Sequence, residues 1–149
     1  MLHYNIDAEQ AYLGAVLVNN AAITEQLKPF HFIDPAHQNI YTVILREVSI
    51  GNAPSPVTLF HMLEDDPLLR DVGGSAYLAR LAGAAVSIIN SLGYAEIITG
   101  LWKRREVTKI ANETILLLQE DNDLDDILGN VAASIHAGSE SVMISAYPN

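Results

Sequence analysis

Asn90–Gln119, NSLGYAEIITGLWKRREVTKIANETILLLQ, contains no proline and sets Leu92, Ile97, Ile98, Leu101, Trp102, Ile110, Ile115 and Leu118 at helical spacing. One helix of this length rises about 1.5 Å per residue and so extends to about 45 Å. Gly93 and Gly100 each cost it on the order of 1 kcal/mol against alanine, unless close packing requires the small residue. The acidic turn Glu120-Asp121-Asn122-Asp123 ends the helix, and Asp123 is positioned to cap another. In that last helix Leu124, Ile127, Leu128, Val131 and Ile135 fall at i, i+3, i+4, i+7 and i+11, which is one apolar stripe. A long helix, a turn and a shorter helix make a helical hairpin. Its seam is too apolar to remain bare, so self-association is expected through Leu101, Trp102, Ile110 and Leu117 of the long helix and the five stripe residues of the shorter one.

Upstream, the helical segments are short. Asp7 and Gln10 have the spacing of a capping box opening a helix through Ala11, Ala15 and Val18. Asn19-Asn20 ends that helix and is expected to cap another through Ile23 and Leu27 to Lys28, stopped by Pro29. Asp34-Pro35 and Ser55-Pro56 pair a capping side chain with a proline suited to the first helical turn. The first opens a helix with Ile40, Tyr41, Ile44 and Val48 on one face; the second opens a shorter one through Leu59 and Leu63. Glu64-Asp65-Asp66-Pro67 reads as an acidic turn, and Gly73-Gly74 precedes a compact helix around Tyr77–Leu81. The expected class is therefore all-α: a compact bundle of short helices over residues 1–88, a hairpin over 89–137, and a loose polar tail or linker over 138–149.

Composition narrows the function. Of 149 residues 50% are apolar and 17% charged, with mean hydropathy +0.19, which suits a folded domain and not a disordered chain. Eight Lys and Arg against 18 Asp and Glu leave a net charge of −10, which opposes general binding to nucleic acid. The absence of cysteine excludes a disulfide scaffold, a thiol nucleophile and thiolate metal sites. No secretory signal or membrane-spanning run is visible, and a cytoplasmic location is expected.

No Walker sequence occurs, so nucleotide hydrolysis by a phosphate loop is not expected. Gly73-Gly74-Ser75 lacks the strand and lysine such a loop uses and reads as a turn feeding a helix. His3, His31, His37, His61 and His136 offer no i, i+4 pair, so neither a metal nor another cofactor is expected. His37 reads as a packing or capping residue. Lys103, Arg104, Arg105 and Lys109 hold half of the positive charge, either as a solvated helix face paired with Glu106, Glu113 and the acidic turn or as a docking patch.

In their order, several of these segments resemble the N-terminal domain of the DnaB-type replicative helicase family. Asp7-Ala8-Glu9-Gln10-Ala11-Tyr12-Leu13-Gly14 resembles its opening A-E-x-x-x-L-G segment. Leu27-Lys28-Pro29-Phe30-His31-Phe32 with His37-Gln38-Asn39-Ile40-Tyr41 is similar to its aromatic turn and H-x-x-I-[FY] helix. Gly51 with Val57-Thr58-Leu59 and Leu63 matches the next loop and helix, with Ser55 where Asp is common in the family. Gly73-Gly74-Ser75-Ala76-Tyr77-Leu78-Ala79-Arg80-Leu81 resembles G-G-x-x-Y-L-x-x-L. Tyr94-Ala95-Glu96-Ile97-Ile98 with Lys103-Arg104-Arg105 is similar to its Y-A-x-x-[IV] and R-R helix.

The resemblance spans about residues 5–136 and rests on caps, turns and apolar faces, so it bears on fold before function. It implies a non-catalytic collar domain whose hairpin pairs with another subunit. It further implies homodimers, possibly a hexamer built as a trimer of dimers, and docking of primase and of a helicase loader or regulator, with DNA contacted only indirectly. A stand-alone, phage-type regulator of a helicase ring would show the same segments. A small helical nucleic-acid binder using Lys103–Lys109 is a third reading.

Overall fold

The computed structural model describes residues 3–85 and 90–146, with side chains as far as residue 137. Among the described residues seven α-helices follow in order: α1 (Ile6–Val18), α2 (Pro35–Ser49), α3 (Pro56–Leu63), α4 (Pro67–Val72), α5 (Ser75–Gly83), α6 (Ser91–Gln119) and α7 (Leu124–Ala146). Short 3-10 turns at Asn20–Ala22 and Pro29–His31 join α1 to α2.

Helix α1 is central because its sequence is apolar on nearly every side. Ala8, Tyr12, Leu13, Ala15, Val16 and Leu17 are all buried, and the helix packs on α5 along one flank and on α6 along another. Gly14 makes the first of these contacts possible. A Cβ there would overlap the Leu81 carbonyl oxygen and approach its carbon to 3.1 Å, so the α1 and α5 backbones lie closer than any side chain allows. Helix α2 adds Ile40, Tyr41 and Ile44 to the core, and α3 adds Leu59 and Leu63.

Several boundaries differ from the sequence reading. Asn5, not Asp7, caps α1, its Oδ1 accepting from the Ala8 amide at 2.9 Å. The helix expected over Ile23–Lys28 is absent. There the Thr24 amide donates to the Tyr12 hydroxyl at 2.8 Å, and that hydroxyl lies 2.8 Å from the hydroxyl of Tyr41, so the backbone is tied to buried side chains and not to its own next turn. Pro29 opens a 3-10 turn instead of ending a helix. Conversely, the acidic turn before Pro67 opens α4: Asp66 accepts from the Leu68 amide at 2.9 Å and Pro67 takes the first helical position. Helix α4 stops at Gly73, whose φ of +125° favours glycine. The backbone stays helical to Ala146, past Gly138, where the composition predicts a loose tail.

Candidate functional site

The Pro29–His31 turn meets α6 in a cluster of aromatic rings. His31 lies 4.3 Å from Phe30 and 4.9 Å from Trp102 between ring centres, and Phe30 lies 5.3 Å from Trp102. The Lys28 amide donates to His31 Nδ1 at 2.9 Å. One turn along α6, the Arg105 guanidinium donates to the carbonyl of His3 at 2.7 Å and to that of His31 at 2.8 Å. This joint corrects two expectations. Trp102 is buried within its own chain and offers no face to a partner. Arg105 clamps the N-terminal arm and the aromatic turn to α6, so it leaves the basic docking patch.

The rest of that patch is not neutralised as the solvated-face reading expected. Among the described residues no carboxylate lies within 4.0 Å of Lys103, Arg104 or Lys109; the carboxylate contact within that distance joins Glu9 to the imidazole of His37. Lys103 turns toward the joint, where it, Lys28 and Arg105 act on His31. Burial first, then these three cations, hold the His31 imidazole down at about 4.

A stability change follows from that shift. A histidine with its pKa lowered on folding stabilises the fold fully above its unfolded value of about 6.5, and this contribution is lost as pH falls from there toward 4. The loss attributable to His31 is expected to reach about 3 kcal/mol, at 1.36 kcal/mol per pKa unit. Denaturant titrations at pH 7 and pH 4.5 on the protein and on its His31→Asn variant test this. The variant is less stable at pH 7 but changes less between the two pH values; equal changes in both would remove His31 as the source.

Beyond Arg105, α6 continues past the aromatic joint, and α7 packs against it. Ile127 is buried and Val131 half-buried against α6, where Val131 shares a cleft with Ile110, Thr114 and Leu117. The five-residue stripe expected on α7 is thereby divided. Ile127 and Val131 close the hairpin, whereas Leu124, Leu128 and Ile135 face outward and are each more than half exposed. On α6 Val107, Ile115, Leu116 and Leu118 are likewise more than half exposed. Leu101 is half-buried beside Tyr4, Ile97 and Arg104 in a shallow groove.

A second polar cluster lies inside the bundle. His37 Nδ1 is 2.8 Å from Glu9 Oε1, and His37 Nε2 is 2.6 Å from the Tyr77 hydroxyl, which also accepts from Gln10 at 3.1 Å. Glu9 Oε2 accepts from the Ile33 amide at 2.8 Å. Carboxylate, imidazole and hydroxyl in line have the connectivity of an activated nucleophile. Here, however, burial raises the Tyr77 hydroxyl pKa, which disfavours the phenolate a nucleophile needs. The chain of bonds instead ties α1, α2 and α5 together, consistent with His37 as a packing residue. The sequence signal for Glu9 is its place on the same α1 face as the buried Tyr12, Leu13 and Val16. Among the described residues no group of three or more His, Asp or Glu is gathered for a metal, and no helix is long and apolar enough to cross a membrane.

Residues 1–100 match the family described as DnaB-like helicase N terminal domain. The replicative DNA helicase DnaB of Rickettsia prowazekii is 37% identical over 118 residues, which cover 77% of this chain and 24% of the helicase. That of Treponema pallidum is 35% identical, covering 86% of the chain and 29% of the relative. The chain thus spans about a quarter of the length of these relatives. Among solved structures, the N-terminal domain of DnaB helicase from Mycobacterium tuberculosis superposes with a TM-score of 0.82 at 28% identity, covering 92% of this chain and 99% of that one. A DnaB-like replicative helicase studied with its primase interactions shares the fold, with a TM-score of 0.72 at 22% identity over 96% of this chain and 34% of that one.

Proposed function

The chain belongs to the DnaB-like helicase N-terminal domain family, and from that premise we propose that it is a non-catalytic assembly and docking domain of the replication apparatus. It self-associates through the hairpin and presents the resulting collar to primase and to a helicase loader or regulator. Any ATP-driven unwinding resides elsewhere in a parent helicase, the chain needs no cofactor, its contact with DNA is indirect, and it works in the cytoplasm. In this reading the bundle assigned to 1–88 is the head and the hairpin assigned to 89–137 the pairing element.

The observation that carries this reading is the outward apolar surface of the hairpin. Leu124, Leu128 and Ile135 on α7 and Val107, Ile115 and Leu118 on α6 are each more than half exposed although the hairpin is already closed by Ile127. Covering an apolar side chain fully is worth roughly 1.5–3 kcal/mol, so several per copy offset the cost of association. Leu128→Asp with Ile135→Asp is expected to give a monomer by sedimentation at tens of micromolar, with the helical content and melting of the bundle retained. A monomeric unmodified chain, or a double variant that stays assembled, would overturn the proposal.

A further inference from the structure

Among the described residues Phe30 is the most exposed of the phenylalanine, tyrosine and tryptophan side chains, with 48% of its surface open to solvent. Its backbone is nevertheless fixed. Pro29 opens the 3-10 turn, the His31 amide donates to the Lys28 carbonyl at 3.0 Å, and the Phe32 amide donates to that of Pro29 at 3.2 Å. The ring is braced in addition against Trp102 and His31. An aromatic side chain held this way loses little freedom when another molecule covers it, which is what a binding anchor requires.

The charge beside this ring runs against that of the chain as a whole. Of eight Lys and Arg in a chain of net charge −10, three gather here, since Lys28, Lys103 and Arg105 all act on the His31 imidazole. Arg105 is engaged by two carbonyls and feels Glu9 and Glu106. The lysines are less compensated. Lys28 Nζ donates to the Glu25 carbonyl at 2.8 Å, and among the described residues no carboxylate lies within 4.0 Å of Lys28 or Lys103, both of which are part-exposed. We infer that Phe30, Lys28 and Lys103 form a docking surface for an acidic peptide segment of a partner protein, with an apolar side chain of the segment covering Phe30 and flanking carboxylates meeting the two lysines. The small number of cations favours such a segment over a nucleic-acid strand, whose affinity is built from many phosphate contacts and which the net negative charge repels. The surface shares no residue with the outward face of the hairpin, so it stands or falls separately from self-association.

A dye-labelled synthetic hexapeptide of alternating aspartate and phenylalanine, titrated with the full chain, tests this by fluorescence anisotropy. Trp102, the only tryptophan, touches Phe30 and reports binding locally through its own emission. Saturable binding is expected, weaker at high than at low salt. Lys28→Glu with Lys103→Glu is expected to weaken it roughly 10-fold or more, the milder Lys28→Gln with Lys103→Gln roughly 3-fold, and Phe30→Ala roughly 5-fold, while Lys109→Glu leaves it unchanged. No saturable response, equal binding of a lysine–phenylalanine hexapeptide, or unchanged affinity in both paired lysine variants would overturn the proposal. Tighter binding of a short oligothymidylate through the same lysines would reassign the surface to nucleic acid. Sedimentation of the lysine variants is expected to match the unmodified chain; dissociation of their assembly would move these residues into the self-association interface and overturn the proposal as well.

Discussion

Gly14→Ala is expected to cost about 3 kcal/mol, lowering the thermal midpoint by roughly 6–12 °C for a chain of this size. The added methyl overlaps the Leu81 carbonyl oxygen, and that oxygen belongs to the α5 backbone, which has no rotamer with which to move aside. Relief requires α1 and α5 to separate, and α1 is also the helix against which α6 packs. The strain therefore spreads through the centre of the bundle. Intrinsic helix propensity acts in the opposite direction, favouring alanine by about 1 kcal/mol, so the sign of the result separates packing from propensity. Gly93→Ala is the matched control, since a Cβ at Gly93 meets no atom within 4 Å; it is expected to stabilise by about 0.5–1 kcal/mol. Thermal melts followed by circular dichroism measure both, and a Gly14→Ala protein as stable as the parent would show that the helices do not approach this closely.

His37→Leu is expected to destabilise by about 3 kcal/mol, the cost of leaving the buried Glu9 carboxyl and the Tyr77 hydroxyl without the imidazole as a hydrogen-bond partner. Leucine fills the space of the ring but offers nothing to Glu9 Oε1 or to the Tyr77 hydroxyl, both of which lie within hydrogen-bond distance of it in the folded protein. Glu9 is 2% exposed and His37 fully buried, so water does not replace the lost partner. Pairing the change with Glu9→Met is expected to recover part of the loss, because the stranded carboxylate goes with it; the Ile33 amide, which donates to Glu9, still loses its acceptor. Urea unfolding of the two single variants and the double variant gives the coupling directly. A loss under about 1 kcal/mol for His37→Leu would mean that the network contributes little to the bundle.

The capping signals of this chain divide along physical lines. Asp34-Pro35 and Ser55-Pro56 are local signals, complete within four residues, and both open helices where expected. Asp66-Pro67 carries the same signal and opens α4, but the adjacent carboxylates gave it the look of a solvated turn. At Ile23–Lys28 the periodicity suggested a helix. That segment is instead held by the hydroxyls of Tyr12 and Tyr41, residues remote from it in sequence.

For this protein the sequence alone determined the all-α class, the long α6, the hairpin and the family resemblance, because caps, helix-breaking residues and apolar spacing act within a few residues along the chain. Tertiary structure decided how each of those side chains is used. Trp102 and Arg105 occur in the same run as Leu101 and Arg104, yet a rotation of about 100° per residue directs the first pair into the bundle and leaves Arg104 in solvent. The apolar stripe of α7 reads as a single face until α6 is laid beside it. Covering Ile127 while exposing Leu128 is a consequence of where the neighbouring helix sits, and helical periodicity by itself does not specify that direction.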